Sequence, residues 1–571
     1  MGSKVVAIGL DSADPLVLER WISQGHLKNI ASIINGGAYG RLNNTVNYGT
    51  RKAITKITER VWGMFLTGCL PSKTGYWGPI QYDKQTYRIV HDYKSGAGAY
   101  DFREYPLFYA LGKDYKIATF DVPGATLSDE VNGVQVLGWG GHAPCTPSLS
   151  QPPELLKDII NKYGKNPILN SDHGYWWDTN YFNWIRKVLR DGSKKRAEIA
   201  KDLLERDSWD LFLTVFAESH TAGHDFWHYS YPSSPFYRGN CESQPEDYML
   251  QAFKQIDQGI GEILSAVDED THVLLFSLHG MGNNITDLAS MMFLPELMYR
   301  FNFPKRVGFA ASNTKSPPKK PIFKPRRRSW PGEIWQQRHD ANPLKRWLRQ
   351  WTPSKFDKFL SPLPSEGSFE PVSPYQMLEK KSPLFWMPAM WYQHIWREMK
   401  AFALPSVGAG HIRINLQGRE PNGIVSIEEY DILCDEIERF LYRVTDARTG
   451  KRLVKEVIRT RASVLDDDPK QTDADLVVLY HEDPDDDECM TDVIDSPDVG
   501  RIGPVTYSRF GGHRPRGFVA IKGPKIPART SFSDGQAIDL APTILDLLDA
   551  PVPKYIDGKS LMQPFRSPVD V

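Results

Sequence analysis

The feature that most constrains this chain is a set of short, apolar, β-branched runs that stop abruptly at a polar residue able to bind a ligand. Val5 to Leu10 runs into Asp11, Leu211 to Phe216 into Glu218-Ser-His220, and His272 to Phe276 into Ser277-Leu-His279. Similar runs at Lys116–Phe120, Leu476–Leu479 and Phe518–Ile521 read as further buried strands. Helical patterns lie between them, at Tyr248–Val267, Ile427–Val444 and Ile538–Leu548. Alternation of this kind predicts an α/β/α sandwich around a largely parallel sheet. Ligand groups in such sheets collect beyond the carboxyl ends of the strands, which is where Asp11, His220 and His279 fall.

With 571 residues, the chain exceeds what one growing core accommodates, so a catalytic domain carrying an insertion is expected. The strand rhythm stops from about residue 300 to 400, where a Pro/Lys/Arg stretch, Pro317–Arg328, leads into a run of tryptophans from Trp330 to Trp396. The division expected is 1–299 with 401–571 as the catalytic domain and 300–400 as a basic, Trp-rich cap. Tryptophans at this density more often pack a lobe than line a pocket, and a basic stretch is more often a solvated loop than a polyanion site. The acidic runs Asp466–Asp468 and Asp483–Glu488 lack the alternating ligands of a calcium loop.

A formal net charge of −1, with 24% charged residues, implies no nucleic-acid partner. Five cysteines without a Cys-x-x-Cys spacing exclude a disulfide framework and a thiolate zinc site, and fit a reducing compartment. No stretch reaches the roughly 18 apolar residues of a membrane span, and the first residues show no leader pattern. A cytoplasmic protein is the expectation.

Three histidine motifs carry the chemistry. In Glu218-Ser-His220-Thr-Ala-Gly-His224 two histidines four apart share one helix face, the spacing by which one metal ion is gripped. His279 follows a buried strand and precedes a glycine. His513 lies in Gly511-Gly-His513-Arg-Pro-Arg-Gly517, ahead of the run Phe518–Ile521. A lone histidine is usually structural; three at strand edges, with Asp11, point to a metal centre.

These segments resemble the alkaline phosphatase superfamily, in its type I phosphodiesterase and nucleotide pyrophosphatase branch. The landmarks are VVAIGLDSADP with Asp11, the segment Thr58 to Gly68 followed by Pro71 and Gly75, then GHDFWH, SLHGM, GGHRPRG and the closing Asp539–Leu561. The resemblance extends over nearly all of the chain outside the insertion. It implies two metal ions, usually zinc, flanking a Thr or Ser nucleophile that attacks phosphorus. Counting nine residues back from Thr67 places Thr58 in that role, with Thr55 as the fallback. Metal coordination activates a hydroxyl that is otherwise a weak nucleophile. Lys56, Arg514 and Arg516 are candidates to neutralise charge on the substrate, and Glu218 is either a residue that orients a ligand histidine or half of a salt bridge.

The chain departs from the family pattern twice. Leu278 stands where the family has an Asp before the histidine, and His220 stands where it has an Asp four residues before His224. The expected ligands therefore divide into His220, His224 and His513, a good zinc site, and a depleted set of Asp11, Thr58 and His279. One zinc is expected in the first. The second is open: empty, filled by metal only together with substrate, or completed by Asp14, Ser277 or Asn283, and manganese or iron in place of zinc stays open too. The function expected is hydrolysis of a small phosphate-type ester, a diester or nucleotide-like phosphoanhydride. The alternatives are sulfuryl or phosphonyl transfer, or another pathway-specific lyase or hydrolase step, on the same fold and metal, and a binding protein with a degenerate metal site.

Overall fold

The computed structural model describes residues 3–49, 51–55, 58–91, 100–140, 147–168, 179–232, 234, 236–237, 247–310, 316–319, 321, 328–340, 342–353, 356–361, 367–482 and 492–565. In chain order the main sheet takes β1 (Val5–Leu10), β2 (Ala38–Asn43), β3 (Gly112–Phe120), β4 (Val131–Leu137), β5 (Leu149–Gln151), β6 (Leu211–Phe216) and β7 (His272–Ser277). The chain then makes a short strand, β8 (Gly280–Asn283), and a second sheet of β9 (Ala401–Leu404), β10 (Gly410–Ile414), β11 (Val454–Arg459) and β12 (Leu476–Tyr480). It returns through β13 (Gly511–Arg514), which pairs with β8, and adds β14 (Arg516–Lys522) and β15 (Thr530–Ser531) to the main sheet.

The nine-stranded sheet runs β15-β2-β14-β7-β1-β6-β3-β4-β5. Its centre, β7-β1-β6-β3-β4, is parallel, whereas β14 is antiparallel to both β7 and β2. The predicted α/β/α sandwich is therefore the architecture found. Every residue of β1, β6 and β7 is buried, because helices cover both faces and neither set of alternating side chains meets water. Along β1 the pleat sends Val6, Ile8 and Leu10 into one apolar cluster and Val5 and Ala7 into another. The first cluster takes α1 (Pro15–Ser23), α2 (Lys28–Asn35), α4 (Thr179–Leu204), α5 (Glu218–Ser230) and α6 (Tyr248–Leu264); the second takes α3 (Thr58–Thr67) and α9 (Ala537–Leu547).

Two sequence expectations change. The run Leu476–Leu479 is a strand, but it belongs to the separate four-stranded antiparallel sheet β9-β10-β12-β11, because a short apolar run carries no mark of which sheet it joins. The helix expected at Tyr248–Val267 stops at Leu264, where the last residues tighten into a turn closed by Ala266 N–H donating to Ile263 C=O. The helices near Ile427 and Ile538 form close to their expected bounds. That of Ile427–Tyr442, α8, starts where Ser426 and Glu429 cap each other reciprocally. Trp335, Trp391 and Trp396 are buried in the same cluster as Ile8 and Phe212, so these tryptophans of the 300–400 segment pack onto the main core. Cys69 and Cys434 are buried free thiols, and Cys145, Cys241 and Cys489 lie outside the described residues. Among the described residues no helix is long and apolar enough to cross a membrane.

One buried ion cluster fixes the entry of α5. Arg196 of α4, fully buried, pairs with Glu218 at 2.8 Å and with Asp121 at the end of β3 at 2.9 Å. Asn166 donates to the other oxygen of Glu218 at 3.3 Å. Glu218 is thus spent on packing α5 against α4 and β3. Arg196→Met, which strands two buried carboxylates, is expected to cost roughly 3–5 kcal/mol. Urea denaturation checks this, and an unchanged midpoint would show that the cluster does not hold α5.

Candidate functional site

α5 leaves the carboxyl end of β6 with His220 and His224 one turn apart on one face, both buried. Their Nε2 atoms lie 3.2 Å apart and their rings are nearly perpendicular, at 86°. His224 Nδ1 is 2.7 Å from the carbonyl of Gly511. A carbonyl can only accept, so Nδ1 carries the proton and Nε2 presents a lone pair. Arg509, paired with Asp287 at 2.9 Å, donates to that Nε2 at 2.8 Å.

His513 reaches this pair because two glycines let the β8–β13 ribbon press onto α5. A Cβ on Gly511 would lie 2.1 Å from the carbonyl oxygen of Gly223, and a Cβ on Gly223 would lie 2.9 Å from Met281 Cε. With both side chains absent, His513, opposite Met281 in the ribbon, sits with its ring 5.1 Å from that of His220 and 4.8 Å from that of His224. One ligand atom from each of the three imidazoles falls within 4.8 Å of the others. This is a donor set able to hold one divalent ion, and among the described residues it is the one group of three or more His, Cys, Asp or Glu so arranged.

The second cluster adjoins it. Asp11 follows β1 between the ends of β6 and β7, and its Oδ1 receives Trp62 Nε1 at 3.3 Å and lies 3.5 Å from His279 Nε2. Its Oδ2 is buried and has no hydrogen-bond partner. A buried carboxylate oxygen left bare is rare and calls for an explanation such as an absent ion. Trp62 belongs to α3, one turn after Thr58 and on the same helix face. The side chain of Thr58, and Lys56 altogether, lie outside the described residues. Thr55 is described, and its hydroxyl accepts from buried Arg60 at 3.3 Å.

Between the clusters stands Ser12, which the sequence reading passed over. Its hydroxyl lies 3.3 Å from His279 Nδ1 and 3.4 Å from His513 Nδ1, and its backbone has a φ of 60°, strained for any residue but glycine. Position directly after Asp11 was the available signal. Trp62 and Arg509, which touch Asp11 and His224, were also missed; nothing local in the sequence separates them from ordinary core and surface residues.

The remaining candidates are placed as follows. Leu278 is buried in the second apolar cluster, so no carboxylate faces Asp11 from that position. Asp14 caps α1, accepting from Leu16 N at 3.0 Å and Val17 N at 3.3 Å; burial raises its pKa to about 6, against the pull of Arg516 and Arg514. Ser277 accepts from Ala13 N and donates to His279 C=O, and Asn283 Oδ1 accepts from Trp227. Each of these fallback ligands thus has a structural task. Arg514 points to the opposite side of β13 from His513 and donates to Asn283 C=O at 2.6 Å; burial brings its pKa down to about 10. Arg516 is half-buried at the start of β14, where its charge acts on Asp14.

The profile of the type I phosphodiesterase / nucleotide pyrophosphatase family matches residues 5–307. The chain belongs to this family. It is a family of phosphoester hydrolases, as the sequence resemblance implied, although the match stops short of the landmarks at His513 and Asp539–Leu561. No curated protein matches the chain in sequence. Among solved structures it is similar to human ectonucleotide pyrophosphatase / phosphodiesterase 5, at 9% identity and a TM-score of 0.45 over 98% of this chain and 97% of that one. It is also similar to a substituted form of the alkaline phosphatase PafA, at 12% and 0.46 over 98% of each chain. A third is phosphonoacetate hydrolase from Sinorhizobium meliloti 1021 in complex with phosphonoacetate, at 11% and 0.42 over 96% and 95%. These likenesses of shape are remote, and membership rests on the matched residues.

His228, one further turn along α5, stays out of the site. Its ring stacks on Phe510 at 3.7 Å, neither ring nitrogen has a hydrogen-bond partner, and burial lowers its pKa to about 3. The unfolded chain binds this proton below about pH 6.5 and the folded chain only near 3, so stability falls as pH drops across that window, by about 1.4 kcal/mol per unit. His228→Phe keeps the stack and removes the proton. Urea denaturation between pH 7 and 5 should show a shallower loss in the variant; an identical slope would refute the buried neutral histidine.

Proposed function

We propose that this chain is a metal-dependent hydrolase that cleaves a small phosphoester, a diester or nucleotide-like phosphoanhydride, with Thr58 as nucleophile. The observation that carries the reading is the convergence of His220, His224 and His513 beside Asp11, whose Oδ2 is buried and bare, at the carboxyl end of the parallel sheet. The donor set fits zinc: three neutral imidazoles, with a fourth position left for solvent or substrate, and manganese or iron as further candidates. When bound, such an ion supplies positive charge that polarises a phosphoryl oxygen and favours an ionised hydroxyl.

The chain's own residues prepare for this. Gly511 holds His224 in the tautomer that offers Nε2, and Trp62 and His279 orient Asp11 through Oδ1, leaving Oδ2 free. Ser12 links His279 and His513 across the two clusters, fixing both rings. Thr58, at the start of α3, occupies the family's nucleophile position. Its oxygen forms the bond to phosphorus as the ester oxygen leaves, and water then releases the phosphoryl group. Asp11, Thr58 and His279 form the depleted second site, completed neither by Leu278 nor by the residues around it.

That depletion favours a second reading on the same fold, sulfuryl or phosphonyl transfer, since Leu278 brings no carboxylate where a second ion would be held. A panel of aryl phosphate monoester, diester, phosphonate and sulfate separates the two. The phosphoester reading expects turnover of a phosphate ester that falls on the order of a thousandfold in Thr58→Ala. It fails if metal-loaded protein turns over none of the phosphorus esters, or if Thr58→Ala retains activity. Turnover of no ester at all would leave a binding protein.

The ligand assignment is tested separately by metal analysis of the purified protein. His224→Ala and His513→Ala are each expected to lose most of the bound metal while keeping the far-UV circular dichroism of the unsubstituted chain. Full retention in both would remove the three-histidine site.

A further inference from the structure

A cation touches the candidate metal centre directly. Arg509 donates from Nη1 to His224 Nε2 at 2.8 Å and from Nε to Asp287 Oδ2 at 2.9 Å. The backbone beneath it is pinned on both sides. Asn284 Nδ2 donates to the Arg509 carbonyl at 3.0 Å, and Phe510 N–H donates to His224 C=O at 3.1 Å while its own carbonyl accepts from Asn284 N–H at 2.9 Å. Asp287 is buried, so its carboxylate is a fixed post for one edge of the guanidinium. The Arg509 side chain is 23% exposed, so the other edge reaches both the histidine and solvent.

This contact and metal binding use the same lone pair. His224 Nδ1 is committed to the Gly511 carbonyl, which leaves Nε2 as the nitrogen that would ligate an ion. An ion on an imidazole lies about 2 Å from the nitrogen, along that lone pair. The guanidinium keeps its charge throughout the physiological range, so it cannot share the lone pair with a second cation. Arg509 therefore has to leave His224 whenever His224 binds metal.

We propose that Arg509 binds the phosphoryl oxygens of the substrate and reaches them by leaving His224; the ligand named here rests on the phosphoester reading. Arg509 stays tethered to Asp287 through Nε and turns its two terminal nitrogens toward the open position of the centre. A planar guanidinium matches two phosphoryl oxygens bidentately, which an ammonium does not. Arg514 and Arg516, the arginines that the sequence singled out for this role, are turned to the Asn283 carbonyl and toward Asp14. Metal and phosphate then bind cooperatively. Phosphate draws Arg509 off the lone pair that the metal needs, and by linkage the metal raises the affinity for phosphate.

Chelator-buffered zinc titration of the purified full chain, with and without inorganic phosphate, tests this without any turnover. In Arg509→Met the zinc affinity without phosphate is expected to rise roughly tenfold, because the competing hydrogen bond is gone. The gain in zinc affinity that phosphate brings is expected to fall roughly tenfold. Arg509→Met strands the buried Asp287 carboxylate, so Arg509→Met/Asp287→Asn is measured beside it and should behave alike. An arginine that merely held the His224 ring would give the opposite sign, weaker zinc binding in both variants. That result overturns the proposal, as does an unchanged zinc affinity or an undiminished phosphate effect. If the unsubstituted chain binds no zinc, the three-histidine centre falls and this proposal with it. If the coupling appears as expected but no phosphorus ester is turned over, the hydrolase reading fails and the Arg509 anion site stands.

Discussion

The backbone contact between Gly223 of α5 and Gly511 of β13 governs the candidate centre. A methyl group on Gly511 would collide with the Gly223 carbonyl, so the ribbon and the helix approach as closely as they do because neither carries a side chain there. The contact serves twice. It brings the His513 ring to within about 5 Å of two imidazoles that lie nearly three hundred residues earlier, and it presents the Gly511 carbonyl that fixes the tautomer of His224. The ion cluster of Arg196, Glu218 and Asp121 holds the other side of α5, so the helix is clamped between a charged anchor and a glycine contact.

The two clusters at the sheet's edge differ in what surrounds them. The three histidines face one another, with Arg509 donating to His224 Nε2, in an arrangement rich in imidazole nitrogen and without a carboxylate of its own. Asp11 and His279 sit against Trp62, Leu278 and the apolar cluster behind them, and have one bare carboxylate oxygen to offer. Ser12 joins them at the expense of backbone strain, which a site built only for packing would relieve with glycine. A buried charge cluster also anchors the helix α7 (Pro343–Trp351), where Arg349 is buried against the carboxylates of Asp340 and Asp357.

Much of this was legible in the residues. Strands buried on both faces read as continuous apolar runs, so β1, β6 and β7 and the ligand-bearing residues after them could be located without coordinates, and helix periodicity placed His220 and His224 on one face. The landmark segments named the family that the match over residues 5–307 establishes. Sequence alone did not reveal that Leu476–Leu479 belongs to a second sheet, since pairing partners are chosen by long-range packing that no local pattern encodes. Nor did it distinguish Trp335 and Trp391, which are core, from Trp347 and Trp351, which are surface.

The sequence by itself determined the fold class, the family and the residue types available at the strand ends, because these follow from periodicity and from short contiguous motifs. The family motifs had already grouped His513 with His220 and His224; tertiary structure alone decided the close approach of ribbon and helix that brings the three rings together, that Ser12 stands between the clusters, and that Glu218, Asp14 and Arg514 are occupied by an ion pair, a helix cap and a ribbon carbonyl. The physical reason is range. A side chain's neighbours in the chain set its local conformation, whereas its charge partner, its desolvation and the atom its lone pair meets are set by segments hundreds of residues away.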